Sequence, residues 1–94
     1  MKQITDRLKK LFIRIGELYE ITPDPVQLEY LKGEMLALKR SRNIIDEHKD
    51  DLERCRYKIM ADLIYCDIKT AAGRGSINGY AMALVSFHDN DIAV

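Results

Sequence analysis

Every seventh residue from Leu31 onward is apolar: Leu31, Leu38, Ile45, Leu52, Ile59 and Cys66. The stretch that carries this column, Val26 to Ala72, is forty-seven residues long, with Gly33 as its one internal glycine before the terminal alanines and no proline. A period of seven predicts helix. Unbroken, such a helix would be about 70 Å long, whereas a compact domain of this length has a radius of gyration near 12–13 Å. The helix must therefore break or find partners. The polar run Asp46-Glu47-His48-Lys49-Asp50-Asp51 is the natural place for a break, with Asp50 and Glu53 able to cap a new helix. Against a break, the apolar column keeps its phase from Ile45 to Leu52. The expectation is one long central helix over about 25–72, continuous or bent.

The column three residues earlier reads Leu28, Met35, Arg42, Lys49, Arg56 and Leu63, apolar at both ends and basic in the middle. The stretch is thus two apolar packing zones joined by a charged waist. Read structurally, Arg42, Lys49 and Arg56 are side chains whose stems cover the core while their heads reach water or nearby acids. Read functionally, they form an anion-binding waist.

Ahead of this stretch, Ile4, Leu8, Leu11, Phe12, Ile15, Leu18 and Tyr19 recur at helical spacing, which predicts an amphipathic helix over about 4–20. Gly16 lowers its helix propensity and suggests a close backbone approach. Thr22-Pro23-Asp24-Pro25 ends it, because two prolines this close cannot continue a helix. The same residues start the next helix, with Asp24 as N-cap and Pro25 at the first helical position. So short a connection predicts an antiparallel hairpin. At the other end, Ala71-Ala72-Gly73 reads as a helix terminus with Gly73 as the C-cap residue. Ser76 then caps a short C-terminal element over about 77–88. Ile77, Tyr80, Ala81, Leu84, Val85 and His88 share its helical face; a strand over Tyr80 to Phe87 is the alternative.

The expected fold is all-α: a single helical domain, 1–94, built as a hairpin with a long central helix and a short C-terminal element. An N-terminal helix of some seventeen residues cannot mask the whole apolar column. The surplus predicts self-association, a homodimer or higher oligomer, through Leu31, Leu38, Ile45, Leu52, Ile59, Met60, Leu63 and Ile64.

The fifteen basic and fifteen acidic residues cancel, which argues against non-specific nucleic-acid binding as the main task. The cysteines, Cys55 and Cys66, lie too far apart on one helix to be bridged and read as small apolar residues of a reducing, cytoplasmic compartment. The longest uncharged run, Gly75 to His88, is too short to span a bilayer. Metal-ligand spacings such as CxxC, HxxxH or HExxH do not occur, so neither a metal nor a cofactor is expected. Nor does any nucleophile–base pairing stand out, which favours a non-enzymatic role.

These readings predict a small helical interaction protein, an adaptor, regulator or inhibitor that binds a protein partner. Small motif-free chains of this kind are common among phage and mobile-element accessory proteins. Two alternatives use the cations. The cluster Lys39-Arg40-Ser41-Arg42 could contact nucleic-acid phosphates. An anion-binding enzyme or sensor would use Arg42, Lys49 and Arg56 of the waist with Arg74 in the Gly73-Arg74-Gly75-Ser76 turn.

Overall fold

The computed structural model describes residues 2–93, with side chains through residue 87. The described residues form four helices and no strand: α1 Lys2–Ile21, α2 Pro25–Glu47, α3 Leu52–Ile64 and α4 Ala71–Ala93. The radius of gyration is 13.1 Å, as expected for compact packing. A 70 Å rod is therefore absent, and the expected helix over about 25–72 is in fact three segments.

The first boundary follows from local chemistry. Thr22 donates its hydroxyl to the Leu18 carbonyl at 2.6 Å and closes α1 before Pro23. The Asp24 carboxylate accepts from the Val26 amide at 3.1 Å, and Pro25 occupies the first turn of α2, where its missing N–H costs nothing.

The first break in the long stretch spans His48 to Asp51. The His48 amide still donates to the carbonyls of Ile44 and Ile45, Asp51 to that of His48, and Cys55 to that of Asp51. This turn inserts about one helical turn's worth of chain, which is why the apolar column crosses it in phase. Asp51, rather than Asp50, caps α3, accepting from the Arg54 amide at 3.0 Å. The buried Cys55 thiol donates to the His48 carbonyl at 3.2 Å, so α3 satisfies an acceptor at the end of α2.

The second break, residues 65–70, reverses the expected polarity of its neighbourhood. Thr70 is a helix start: its hydroxyl accepts from the Gly73 amide at 2.9 Å, and its carbonyl accepts from Arg74 at 3.0 Å. Gly73 lies inside the first turn of α4 and is not a C-cap; no described glycine has positive φ. The C-terminal element therefore begins at Ala71, not about 77, and is a helix throughout.

The largest interface joins α2 to α4, and it is made by the absence of side chains. A Cβ on Gly33 would collide with the Ala72 carbonyl, and one on Gly75 with the Tyr30 carbonyl. At Gly79 it would lie 2.7 Å from both the Ala37 Cβ and the Glu34 carbonyl oxygen. Along this seam Tyr30 meets Gly75, Glu34 meets Asn78 and Gly79, and Ala37 meets Gly79. Residue numbers rise together, so α2 and α4 run in the same sense, and α3 returns the chain between them. Ser76 donates to the Gly33 carbonyl at 3.1 Å, and the Asn78 amide donates to the buried Glu34 carboxylate at 2.6 Å. Gly16, by contrast, has only the Met35 sulfur at 3.9 Å, an ordinary contact. The close approach expected at Gly16 occurs at Gly33, Gly75 and Gly79.

The core gathers Ile4 and Leu8 of α1, Leu38 and Ile45 of α2, Cys55 and Ile59 of α3, and Ala83 and Phe87 of α4, all essentially inaccessible. On α4 the inward face is Gly75, Gly79, Tyr80, Ala83, Ser86 and Phe87. It is rotated from the expected face: Val85 is exposed, Ile77, Ala81 and Leu84 are half-buried, and the His88 side chain lies outside the described residues.

Candidate interaction surface

The helix breaks decide which apolar residues are free. Folding α3 and α4 back onto α2 occupies the heptad column within the chain: Leu31, Leu38, Ile45 and Ile59 are buried and Leu52 half-buried, as is Leu63 of the neighbouring column. Of the residues expected at an interface between chains, Met60 and Ile64 remain open to solvent.

They belong to a longer surface. At about 100° per residue, Tyr57, Met60 and Ile64 fall within an arc of about 60°, on the side of α3 opposite Cys55 and Ile59. Their exposures are 77%, 47% and 71%, and the stripe is extended by Tyr65 at 88% and Ile68 at 69% in the α3–α4 connection. Single exposed apolar residues are commonplace; several large ones grouped together are a recurring feature of interaction surfaces. Beside Tyr57 the surface dips into an open hollow of about 370 Å³ lined by Asp51, Glu53, Arg54, Tyr57 and Lys58.

The cations singled out by the sequence are distributed over α2, the turn that follows it, α3 and the start of α4. Lys39 and Arg40 are exposed on α2, and Arg42 is half-buried there; Lys49 is exposed in the turn, Arg56 on α3. Arg74, at the start of α4, donates to the Ile68 carbonyl at 3.1 Å. Arg42, Lys49 and Arg56 formed a column only on an uninterrupted helix, and the turn at His48–Asp51 takes Lys49 out of it.

Arg40 instead edges a polar recess of about 250 Å³ between α2, α3 and α4, with Asp62, Cys66, Ser76 and Tyr80 among its lining residues. Burial pushes the Tyr80 phenol up, while its hydrogen bond with Arg40 acts the other way. Burial, then the neighbouring Asp62, raises the Cys66 thiol, with Arg40 opposing; the thiol donates to the Asp62 carbonyl at 3.4 Å. Burial and Asp51 likewise raise the Cys55 thiol. Both sulfurs are free and are held away from the thiolate form that a nucleophile needs. Among the described residues, no three His, Cys, Asp or Glu side chains gather as a metal site, and no helix is long and apolar enough to cross a membrane.

Sequence reasoning missed Tyr57, Tyr65 and Ile68. All three lie off both columns of the expected long helix. The available signal was the spacing Tyr57, Met60, Ile64, which repeats at three and four residues and is a second stripe on the opposite side of α3 from Cys55 and Ile59. Comparison with known protein families, curated proteins and solved structures gives no match.

Proposed function

We propose that this chain is a small helical interaction protein that acts by surface binding, with the outer face of α3 as its docking surface. The observation that carries this reading is the group of large apolar side chains left open to solvent, Tyr57, Met60 and Ile64 on α3 with Tyr65 and Ile68 in the connection that follows. Aromatic residues and methionine are favoured at the centres of interfaces, where large rigid groups bury much area. The described cavities are shallow, and neither thiol is poised as a nucleophile, so the surface is the better developed feature. In this reading α1 and α2, joined by only residues 22–24, form a hairpin, and the two free thiols suit the reducing cytoplasm.

The test is site-specific cross-linking in cells. A photoreactive residue replacing Tyr57 or Ile64 is expected to trap a discrete protein, while one replacing Lys9 on the outer side of α1 traps none. Absence of any adduct at the α3 positions, with the chain folded and expressed, overturns the reading.

A further inference from the structure

We propose that the cleft between α1 and α4 is a second docking surface, and that its partner is an acidic amphipathic helix of another protein. It is built from different residues than the α3 face. Among the described residues α1 and α3 do not touch, so the two surfaces can be occupied at once.

The cleft follows from the helical repeat. At about 100° per residue, Arg7, Lys10 and Arg14 fall within an arc of about 60° on α1, with Leu11 on its inward side. On α4, Asn78, Ala81, Met82 and Val85 recur at three and four residues and share one face. That face and the Arg7–Leu11 edge of α1 line a hollow of about 280 Å³. Arg7 and Leu11 also line an open hollow of about 410 Å³ on α1 itself, with Lys10, Ile13, Arg14 and Glu17. Sharing two residues, the hollows make one trough. Lys9 lies about 140° round α1 from Arg14, outside it.

The whole chain is neutral, but the trough is not. Arg7, Lys10 and Arg14 line it against the single carboxylate of Glu17. The α4 wall adds no acid, since the one charged residue between Ala71 and Phe87 is Arg74. A surface of one sign selects a partner of the other and speeds their encounter.

Charge alone would suit nucleic acid equally, and the apolar lining decides between them. Leu11, Ile13, Met82 and Val85 offer little to a phosphate backbone, which is held by cations and hydrogen-bond donors. They suit the apolar stripe of a helix laid against two others. Ile13 and Val85 are half-exposed, at 50% and 55%, and are the anchors open to such a stripe. The partner helix therefore carries large aliphatic residues at three- and four-residue spacing, with Asp or Glu beside them.

The experiment titrates the full chain into a fluorescent synthetic helix with leucines on one face and glutamates flanking them, read by anisotropy. Saturable binding is expected below about 1 mM, the weak end of recognition, and it should weaken as salt rises. Lys10→Glu combined with Arg14→Glu is expected to weaken binding about tenfold, and Val85→Asp by a similar factor. All three positions are exposed, so helix content should not change. In the unaltered chain the methyl resonances of Leu11, Met82 and Val85 should shift on titration, which reads the site without any substitution. Tyr57→Ala should leave the affinity as it is; loss of binding there would put the peptide on α3 and overturn the proposal. Absence of binding overturns it, as does equal binding of a peptide with lysine for every glutamate. So does binding indifferent to both the charge and the Val85 variants. Single-stranded RNA or anionic vesicles that bind through Lys10 and Arg14 where the peptide does not would also overturn it.

Discussion

The α2–α4 seam and the outer face of α3 show two opposite uses of the same short chain. At the seam, side chains are missing. Gly33, Gly75 and Gly79 bring the two backbones into contact, and the adhesion is backbone packing reinforced by the hydrogen bonds of Ser76 and Asn78. On α3, the large apolar side chains of Tyr57, Met60 and Ile64 stand largely open to solvent. Hydrophobicity alone would rank these regions the wrong way round, since the oily residues lie outside and the closest helix contact holds almost none. Closeness of approach, more than oiliness, tells the internal contact from the external one.

The sharpest way to break the seam is to add a methyl group. Gly33→Ala or Gly75→Ala is expected to cost about 3 kcal/mol, the upper range for overpacking, because the obstacle is a carbonyl and cannot rotate aside. A loss under about 1 kcal/mol in denaturant titration would mean that α2 and α4 are not in backbone contact. The same substitution at Gly16 should do the reverse. With only a flexible methionine sulfur nearby, Gly16→Ala should stabilise by about 1 kcal/mol through helix propensity, read as a higher melting temperature. On α3, Tyr57→Ala or Ile64→Asp should change the stability of the chain by no more than about 0.5 kcal/mol, the usual result for exposed positions. A larger loss would show that the face packs internally.

A final test uses pH at the seam. Burial raises the Glu34 carboxyl above its ordinary value, with the Asn78 hydrogen bond opposing. In the unfolded chain Glu34 ionises in the ordinary carboxylate range; in the folded chain it holds its proton to higher pH. Its contribution to stability is therefore fully present below the ordinary range and is lost as pH rises through the folded value. Glu34→Gln keeps an acceptor for Asn78 and removes the buried charge. That variant should lack this fall and be the more stable at neutral pH, as checked by comparing melting curves of the two proteins from acid to neutral pH.

The contrast also explains what could be read in advance. The α1–α2 boundary was legible because Asp24 and Pro25 act locally: a carboxylate caps the nearest amide, and a proline ring fixes its own backbone angle. Of the two later breaks, the first falls within the polar run Asp46–Asp51 that the sequence marks as its natural place, though the apolar phase argues there for a continuous helix, and the second was not legible. The turn at His48–Asp51 preserves the heptad phase, so periodicity cannot see it, and Thr70 looked like part of a helix end because Gly73 has the composition of a C-cap. Which face of α4 turns inward was hidden for a related reason. Its inner side is largely Gly, Ala and Ser, and hydropathy carries no signal where a contact is built from small residues. Met60 and Ile64 were recognisable as surplus apolar surface. Tyr57, Tyr65 and Ile68 joined them only once the rod was broken and α3 had an outside of its own.

The seam has a consequence for the order in which the fold can be assembled. The bonds that lock it join Gly33 to Ser76 and Glu34 to Asn78, residues 43 and 44 apart. They cannot form until α3 has turned the chain back on itself. During synthesis α2 leaves the ribosome with its principal mate not yet made, and the row of Gly33, Ala37, Leu38 and Ser41 faces water or transient company. Closure of a long loop then precedes any reward from contact. A cut in residues 65–70 would remove that tether, and the last step of folding would become the meeting of two separate molecules, dependent on their concentration.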